Sequence, residues 1–193
     1  MKELPEVDDI EIRRPIIGDY EELNHFFHAV IIDTFAKEGL SELTDDIENE
    51  IEIKKQYLKC DFDSNGKNRY FLIAVDKRCN KIIGTIEFGP SSKLIHTCTE
   101  GALKGLYEIG TVFVLPNYQK RGISNLLLNA IFLTLLGKGI NEFCLDSGYT
   151  NAQKIWKKKF GEPSFLLKDY WGKAYDHMIW RKYINDIVIT FRI

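Results

Sequence analysis

The sequence has no long uninterrupted run of apolar residues. Its most apolar segment, residues 123–136, is interrupted by Asn125, Asn129 and Thr134 and is shorter than the roughly 20 residues that a helix needs to cross a bilayer. The N-terminal stretch MKELPEVDDIEIRR is polar and acidic and lacks the apolar core of a signal peptide. We therefore expect a cytoplasmic protein without a membrane partner.

Cysteine is also scarce. The four cysteines are far apart in the sequence and form no CxxC pair, which favours free thiols in a reducing compartment over disulfides. His25 and His28 are three residues apart, but no further ligands accompany them, so we expect no metal site.

Neither sign of charge is in large excess, and two familiar phosphate-binding loops are missing. The 26 basic and 28 acidic side chains give a formal net charge of −2, so we expect no nucleic-acid partner. The chain contains no GxxxxGK loop followed by Ser or Thr, and no GxGxxG. Their absence argues against an ATP P-loop and against a dinucleotide-binding fingerprint.

Hydrophobic periodicity predicts alternating strands and helices. The predicted strands cover residues 10–14, 70–75, 81–88, 107–114, 142–147, 164–172 and 177–184, with a short one over 187–191. The predicted helices cover residues 21–40, 45–59, 123–136 and 151–160, and the first has Asp19 as its N-cap and Gly39 as its C-cap. Residues 61–68 and 89–105 are predicted to be loops. Without repeats or linkers, we expect one domain over residues 10–193 behind a flexible segment of residues 1–9.

The stretch LPNYQKRGIS, residues 115–124, lies between a predicted strand and a predicted helix. The first turn of any helix has backbone N–H groups without intrahelical acceptors, and the helix dipole adds positive potential there. Gly122 permits a tight turn and a close approach of an anion to the backbone, while Lys120 and Arg121 add charge. The stretch therefore reads as a diphosphate cradle, with an ordinary strand-to-helix turn as the alternative. The strand–helix–strand unit around it should have parallel strands and a right-handed crossover.

The run VFVLPNYQKRGIS resembles the acetyl-CoA-binding signature of the GNAT family of N-acetyltransferases, Q/R-x-x-G-x-G/A after a strand that ends near V-x-P. The order of predicted elements, including a late helix that opens with Asn151 and Ala152, is similar to that family over most of the chain. The resemblance implies an α/β (α+β) GNAT fold. This fold has a mixed, mostly antiparallel twisted sheet, a central parallel β-α-β unit that binds the cofactor, and helices on both faces. It also implies acetyl-CoA as cosubstrate, an amine as acceptor and no metal.

By this resemblance, backbone amides of the loop bind the CoA diphosphate, and the preceding strand runs beside the pantetheine arm. The Val112 amide would be the oxyanion donor. Ser124 departs from the usual Gly or Ala, but it is small and its hydroxyl could donate to a phosphate oxygen. The implied cofactor-binding residues are Val112, Phe113, Val114, Gln119, Lys120, Arg121, Gly122, Ile123, Ser124, Asn151 and Trp156.

Glu108 is the candidate general base. It lies eleven residues before Gln119 in an E-I dipeptide, which is where histone-acetylating members of the family place their catalytic glutamate. An amine with a pKa near 10 must lose a proton before it attacks, and a carboxylate can accept that proton. The alternative is that Glu108 is an ion-pair partner at the end of a strand.

The general acid is where the sequence departs from the family pattern. Trp156 stands about where many members carry a tyrosine, and an indole cannot protonate a thiolate. Either Tyr149 takes this role, or the CoA thiolate leaves without an acid because a thiol with a pKa near 8.5 is a tolerable leaving group. We prefer the second interpretation, with Trp156 packing against the CoA arm or in the core.

The resemblance also indicates where the amine acceptor binds, between the first two helices and the C-terminal strands. The candidate lining residues there are Phe35, Glu38, Tyr170, Trp171 and His177. C-terminal strands commonly pair in the family, which leaves a homodimer open. The leading hypothesis is an N-acetyltransferase that acts by direct transfer in a ternary complex, on a primary amine of a small molecule or peptide. The alternative is a catalytically weak or inactive CoA-binding module of the same fold with a regulatory or structural role.

Overall fold

The structure, a computed structural model, describes residues 9–190. Its strands are β1 (Ile10–Arg13), β2 (Tyr70–Asp76), β3 (Lys81–Pro90), β4 (Tyr107–Val114), β5 (Glu142–Ser147), β6 (Phe165–Leu167) and β7 (His177–Tyr183). Its α-helices are α1 (Tyr20–Lys37), α2 (Thr44–Ser64), α3 (Lys93–Cys98), α4 (Ile123–Gly137) and α5 (Thr150–Phe160). Residues 1–8 of the predicted flexible segment lie outside this range. Between residues 9 and 190, no helix has the length and apolar character that a membrane span requires.

Seven strands of this part of the chain form one sheet in the order β1-β2-β3-β4-β5-β7-β6. β4 and β5 run parallel, with Glu108 opposite Cys144. The pairs β1–β2, β5–β7 and β6–β7 are antiparallel. α4 connects the two parallel strands, as a parallel pair requires a crossover. The mixed, mostly antiparallel sheet with helices around it confirms the predicted fold class.

The chain divides into two compact units, each with its own core. Among the described residues, the first unit comprises 9–87, 111–134 and 189–190, and the second comprises 88–110 and 135–188. The expectation of a single domain over residues 10–193 stays a prediction.

The core of the first unit joins α1, α2 and β2. Leu23 of α1 and Leu58 of α2 have no exposed surface, and the rings of Phe27 and Phe71 lie 6.3 Å apart. The apolar residues of α1 recur at helical spacing, so the helix buries one face. Each such side chain removed from water contributes about 1.5–3 kcal/mol to folding.

The core of the second unit lies between α3 and the strands β5 and β7. Ile95, Leu103, Cys144 and Ile179 are fully buried in it. Trp180 is also completely buried. Its indole N–H, the only polar group of the side chain, donates to the carbonyl of Gly161 at 2.9 Å and is therefore satisfied.

The first helix covers Tyr20–Lys37, with Asp19 at its N-cap position as predicted and Gly39 just beyond its end. The capping bond expected from the Asp19 side chain is not made. Asp19 has helical backbone angles and makes no capping bond. Its carboxylate instead accepts two bonds from the Arg13 guanidinium, at 2.6 and 3.0 Å, and one from the Ile16 amide. A charged donor competes better for the carboxylate than a neutral amide does. At the other end, Gly39 has a φ of +74°, and the Leu40 amide bonds to the Phe35 carbonyl, as in a Schellman ending.

The predicted loop over residues 61–68 is wrong in its first half, because α2 continues to Ser64. Asp61 is completely buried. It accepts the Phe71 amide at 3.0 Å and lies 2.9 Å from the Arg14 guanidinium. Burial raises the pKa of Asp61, although these two partners oppose that shift. The acidic side chain of Asp61, which favoured an exposed loop in the sequence, is thus buried and connects α2 to β2 and to Arg14 inside the first unit.

The predicted loop over residues 89–105 is also wrong in part, since it contains α3. Ser92 caps this helix by accepting the Ile95 amide at 3.3 Å, and Ile95 supplies its buried side chain. A helix of two turns is too short for periodicity to reveal. The short strand predicted over 187–191 does not form at residues 187–190, and residue 191 lies beyond the described chain.

Candidate active site

The loop between β4 and α4 presents a row of backbone amides. After a 3-10 turn at Pro116–Tyr118, the chain passes through positive φ angles at Lys120, +62°, and Gly122, +82°, and enters α4 at Ile123. Within residues 9–190, no chain acceptor receives the amides of residues 120–124. Unpaired N–H groups at a helix start form an anion-binding site together with the helix dipole.

The surface of this loop is open and positively charged. Lys120, Arg121 and Gly122 are exposed, and a Cβ built on Gly122 would have no heavy atom within 4 Å. The space above the backbone is therefore free for a bulky anion, and the adjacent cations add attraction. These observations fit the diphosphate of CoA.

Gln119 braces the start of the loop through its side chain. Its amide nitrogen Nε2 donates to the carbonyl of Val114 at 3.1 Å, and its oxygen Oε1 accepts from the Lys37 ammonium at 3.1 Å. Its backbone amide already donates to the carbonyl of Pro116 at 3.3 Å. Gln119 thus ties the end of β4 and the end of α1 to the loop, and its amide differs from the five that follow.

The part of β4 that precedes the loop carries an unusual backbone conformation. Thr111 has a φ of +52° and is 5% exposed. Its hydroxyl donates to Glu87 at 3.2 Å, and Glu87 in turn pairs with the Arg69 guanidinium at 2.6 Å. The next residues, Val112 and Phe113, are half-buried, and Val114 is buried.

Arg69, Glu87 and Thr111 were not among the site residues predicted from the sequence. One signal was available, because Glu87 stands between the apolar residues Ile86 and Phe88 in the predicted strand KIIGTIEF. An acidic residue in a buried strand requires a cation or several donors. Nothing in YEIGTVFV indicates the left-handed conformation at Thr111, which is a rare state for a β-branched residue.

In the second unit, Glu108 lies near the start of β4 and is 9% exposed. One of its oxygens accepts the Ser92 amide at 2.6 Å, at the beginning of α3. This bond fixes the direction of the carboxylate. Cys144 stands opposite on β5, and burial first, then the charge of Glu108, raise the pKa of its thiol. Cys144 is therefore held as a thiol at neutral pH.

The residues at the start of α5 are placed differently from one another. Tyr149 is half-buried at the N-cap position, where its amide donates to the Ser147 hydroxyl at 3.1 Å. Asn151 is exposed. Trp156 is 9% exposed and stacks on Phe160 with ring centroids 5.7 Å apart. Trp156 therefore packs in the core of the second unit, which is one of the two placements that its sequence position suggested.

A further polar cluster of the second unit contains three of the residues suggested as acceptor-lining. His177 is 2% exposed, and its Nε2 lies 3.1 Å from a carboxylate oxygen of Asp146. The indole N–H of Trp171 donates to His177 Nδ1 at 3.2 Å, and Tyr170 packs on both rings. The acceptor role of these residues stays a prediction.

The predicted site residues fall into two groups by unit. The first unit contains the half of β4 from Thr111 onward and the whole loop through Ser124. The second unit contains Glu108, Tyr149, Asn151 and Trp156. Strand β4 contributes to both groups, since Glu108 and Val112 are four residues apart on it.

Comparison with known proteins gives one family and many structures. A sequence model of the acetyltransferase (GNAT) family matches residues 36–161. No curated protein sequence matches the chain significantly.

Solved structures resemble most of the chain. A protein from Desulfovibrio desulfuricans described as a GNAT-family acetyltransferase is 14% identical, with a TM-score of 0.67 over 91% of this chain and 99% of that one. PaiA N-acetyltransferase from Thermoplasma acidophilum, solved with coenzyme A, is 20% identical, with a TM-score of 0.62 over 90% and 99%. Ribosomal-protein-alanine N-acetyltransferase from Brucella melitensis is also 20% identical, with a TM-score of 0.63 over 90% and 99%. These likenesses show a shared fold.

Proposed function

The chain belongs to the acetyltransferase (GNAT) family, and on that premise we propose that it transfers the acetyl group of acetyl-CoA to a primary amine of a small molecule or peptide. The observation that carries this proposal is the row of amides at residues 120–124, which have no acceptor within the described chain. A polyphosphate group fits that row, the helix dipole and the two exposed cations together.

In this proposal the loop holds the coenzyme and β4 orients its acyl end. The amides of residues 120–124 bind the diphosphate, and the Ser124 hydroxyl adds a donor. Gln119 keeps the loop and the end of β4 in register through its bond to Val114. The Val112 amide donates to the acetyl carbonyl and stabilises the oxyanion that forms when the amine attacks. Acetyl-CoA supplies the activated thioester.

Glu108 is the proposed general base. The Ser92 amide orients its carboxylate, so little reorganisation is required when a proton arrives. A protonated amine cannot attack a carbonyl, and removal of its proton by a positioned base contributes typically 100- to 10,000-fold to the rate. Direct transfer in a ternary complex follows if Glu108 acts on the amine while the thioester is bound.

The leaving thiolate needs no strong acid in this scheme. Trp156 is stacked in the core on Phe160 and has no acidic proton to give. Tyr149, half-buried at the start of α5, is the candidate if an acid contributes. Tyr149→Phe removes only the hydroxyl and therefore tests that role; we expect a loss in kcat of less than about 10-fold.

Two measurements test the proposed function in sequence. Thermal unfolding with CoA, acetyl-CoA and ATP should show stabilisation by the first two alone. A ligand concentration of about 100 times Kd should raise the free energy of unfolding by about 2.7 kcal/mol. Thiol release from acetyl-CoA is then measured across amines, amino acids, polyamines and peptides. Binding of acetyl-CoA without amine-dependent release from any acceptor would instead support the inactive CoA-binding module, and no binding at all would contradict both.

Glu108→Gln tests the base with little change in structure, because the glutamine oxygen can still accept the Ser92 amide. We expect kcat at neutral pH to fall about 100-fold or more. The loss should shrink as the pH rises towards the pKa of the amine, since the amine then deprotonates without help. Glu162→Gln is the control: it removes an acid that is 80% exposed in the second unit and should leave kcat unchanged. A loss in Glu108→Gln that is equal at all pH values would reject Glu108 as the base.

A further inference from the structure

Thr111 is held in a conformation that its side chain disfavours. Its φ of +52° belongs to the left-handed region, where a β-branched residue is an outlier. It stands inside β4, where no other residue has a positive φ, and it is 5% exposed. Residues kept in such conformations persist only where neighbouring groups over-determine them.

Two bonds from β3 hold Thr111 from both ends. Its hydroxyl donates to Glu87 Oε1 at 3.2 Å, and its carbonyl accepts the Thr85 hydroxyl at 2.9 Å. Thr85 and Glu87 are two residues apart on β3 and therefore point to the same face. Together they fix the side chain and the following peptide plane of Thr111. That peptide plane contains the amide of Val112.

Glu87 is itself fixed on its other side. Its oxygen Oε2 accepts the Arg69 guanidinium at 2.6 Å, and the two side chains are 1% and 7% exposed. The guanidinium lies 3.6 Å from the centre of the Tyr57 ring. A buried ion pair of this kind is weak evidence for stability, because desolvation offsets its attraction. Because one carboxylate oxygen of Glu87 binds Arg69 and the other binds the Thr111 hydroxyl, the pair fixes the orientation of the Thr111 side chain.

We propose that Glu87 is a positioning residue, which acts through Thr111 to aim the Val112 amide. The inference rests on the proposed function, in which that amide stabilises the oxyanion. Arg69 holds Glu87, Glu87 holds the Thr111 hydroxyl, and the left-handed backbone at Thr111 sets the direction of the next N–H, which is that of Val112. Glu87 and Arg69 do not touch the substrate.

Three variants separate aiming from stability. Glu87→Gln directs its one oxygen to Arg69 and leaves the Thr111 hydroxyl without its acceptor. Thr111→Val has the same shape but no hydroxyl, and it leaves the buried ion pair intact. Thr111→Gly adopts a positive φ without support. The control is Asp61→Asn, which weakens another buried carboxylate–arginine pair of the same unit, with Arg14, away from β4.

The first readout uses the coenzyme-free protein and needs no activity. Backbone chemical shifts of residues 110–112 report the φ angle at position 111. We expect the left-handed state in the wild type, in Asp61→Asn and in Thr111→Gly, and a shift towards extended angles in Glu87→Gln and Thr111→Val. Left-handed shifts that persist in both of these variants would overturn the proposal, whatever the enzyme's activity proves to be.

The second readout is kcat and KM for acetyl-CoA in amine-dependent thiol release. We expect Glu87→Gln and Thr111→Val to lower kcat by about 10-fold or more, with KM changed less than 3-fold. Loss of an entire oxyanion donor, about 100- to 1,000-fold, is the upper bound. The double variant Glu87→Gln with Thr111→Gly should recover most of the lost kcat. A loss of kcat that glycine does not rescue, or an equal loss in Asp61→Asn, would reject positioning in favour of a general structural effect.

If the wild-type protein binds acetyl-CoA but releases no thiol, the proposed function fails while the φ measurement still decides the coupling of Glu87 to Thr111. If the wild type is active and the φ angle does not respond, the proposed function stands and the positioning role fails. The two failures are therefore distinguishable.

Discussion

Gly122→Ala gives a sharp test of the loop, because α4 has a matched glycine at its other end. Gly122 precedes the helix with a φ of +82°, and Gly139 follows it with a φ of +73°. A Cβ added at either position has no heavy atom within 4 Å. Both substitutions to alanine should therefore cost only the backbone strain of a left-handed L-residue, about 1 kcal/mol. For a chain of this size that corresponds to a decrease in Tm of about 2–4 °C.

The two variants should differ in coenzyme binding. At Gly122 the new methyl group projects from the backbone beside the amides of residues 120–124, where the diphosphate is proposed to bind. Displacement of the phosphate from one amide would remove a charge-assisted bond, about 1.5–3 kcal/mol, which corresponds to roughly a 10- to 100-fold increase in Kd. Gly139 lies beyond the far end of the helix, so Gly139→Ala should bind CoA as the wild type does.

Isothermal titration with CoA measures both affinities, and thermal unfolding without ligand checks that the two variants are equally strained. Equal Kd values for the two variants, at equal loss of stability, would refute the assignment of the diphosphate to this loop. A lower affinity in both would show that strain in α4, rather than contact with the loop, controls binding.

Two further predictions concern stability. Burial alone would raise the pKa of Asp19, but the bonds from Arg13 and from the Ile16 amide outweigh it and lower the pKa below its ordinary value of 3.8. Asp19 therefore binds a proton more readily in the unfolded chain than in the folded one. Its contribution to the free energy of unfolding is present above about pH 4 and is lost as the pH falls through the lowered pKa. Asp19→Asn should lower the free energy of unfolding by about 1 kcal/mol at pH 7, after solvent screening of this partly exposed pair. In urea unfolding the difference from the wild type should shrink progressively below pH 4. A difference that does not depend on pH would contradict the ion-pair explanation. Gly66→Ala should destabilise the fold by about 2 kcal/mol. Its Cβ would clash with the Arg14 guanidinium, which pairs with buried Asp61, and an L-residue is strained at a φ of +74°. Gly39→Ala, with the same φ and open space around it, should cost about half as much, and equal losses would show that Arg14 moves aside freely.

The fold could be predicted from the sequence where apolar runs are long and punctuated by glycine. The spans of β4, β5 and α4 follow this pattern, and Gly39 marks a helix end as expected. The segments that were wrong depend on single tertiary bonds. α2 extends past residue 59 because Arg14, forty-seven residues earlier in the chain, neutralises Asp61. α3 is short and depends on one cap and one buried isoleucine.

In the candidate site, too, the features that depend on local sequence could be predicted, whereas those that depend on tertiary contacts could not. The sequence QKRGIS predicts the glycine turn and the helix start that the structure has, because both are local properties of the chain. Phosphate binding by this loop stays a prediction. The left-handed conformation of Thr111 depends on two side chains of β3, and no local pattern encodes that pairing. The orientation of Glu108 by the Ser92 amide depends on α3, which the sequence did not reveal.

A crystal structure of the protein grown with CoA tests the proposed diphosphate site most directly. We expect diphosphate oxygens at about 2.7–3.2 Å, an ordinary hydrogen-bond distance, from the backbone nitrogens of residues 120–124. A diphosphate bound elsewhere on the chain, with these amides facing solvent or paired to the protein, would contradict this proposal.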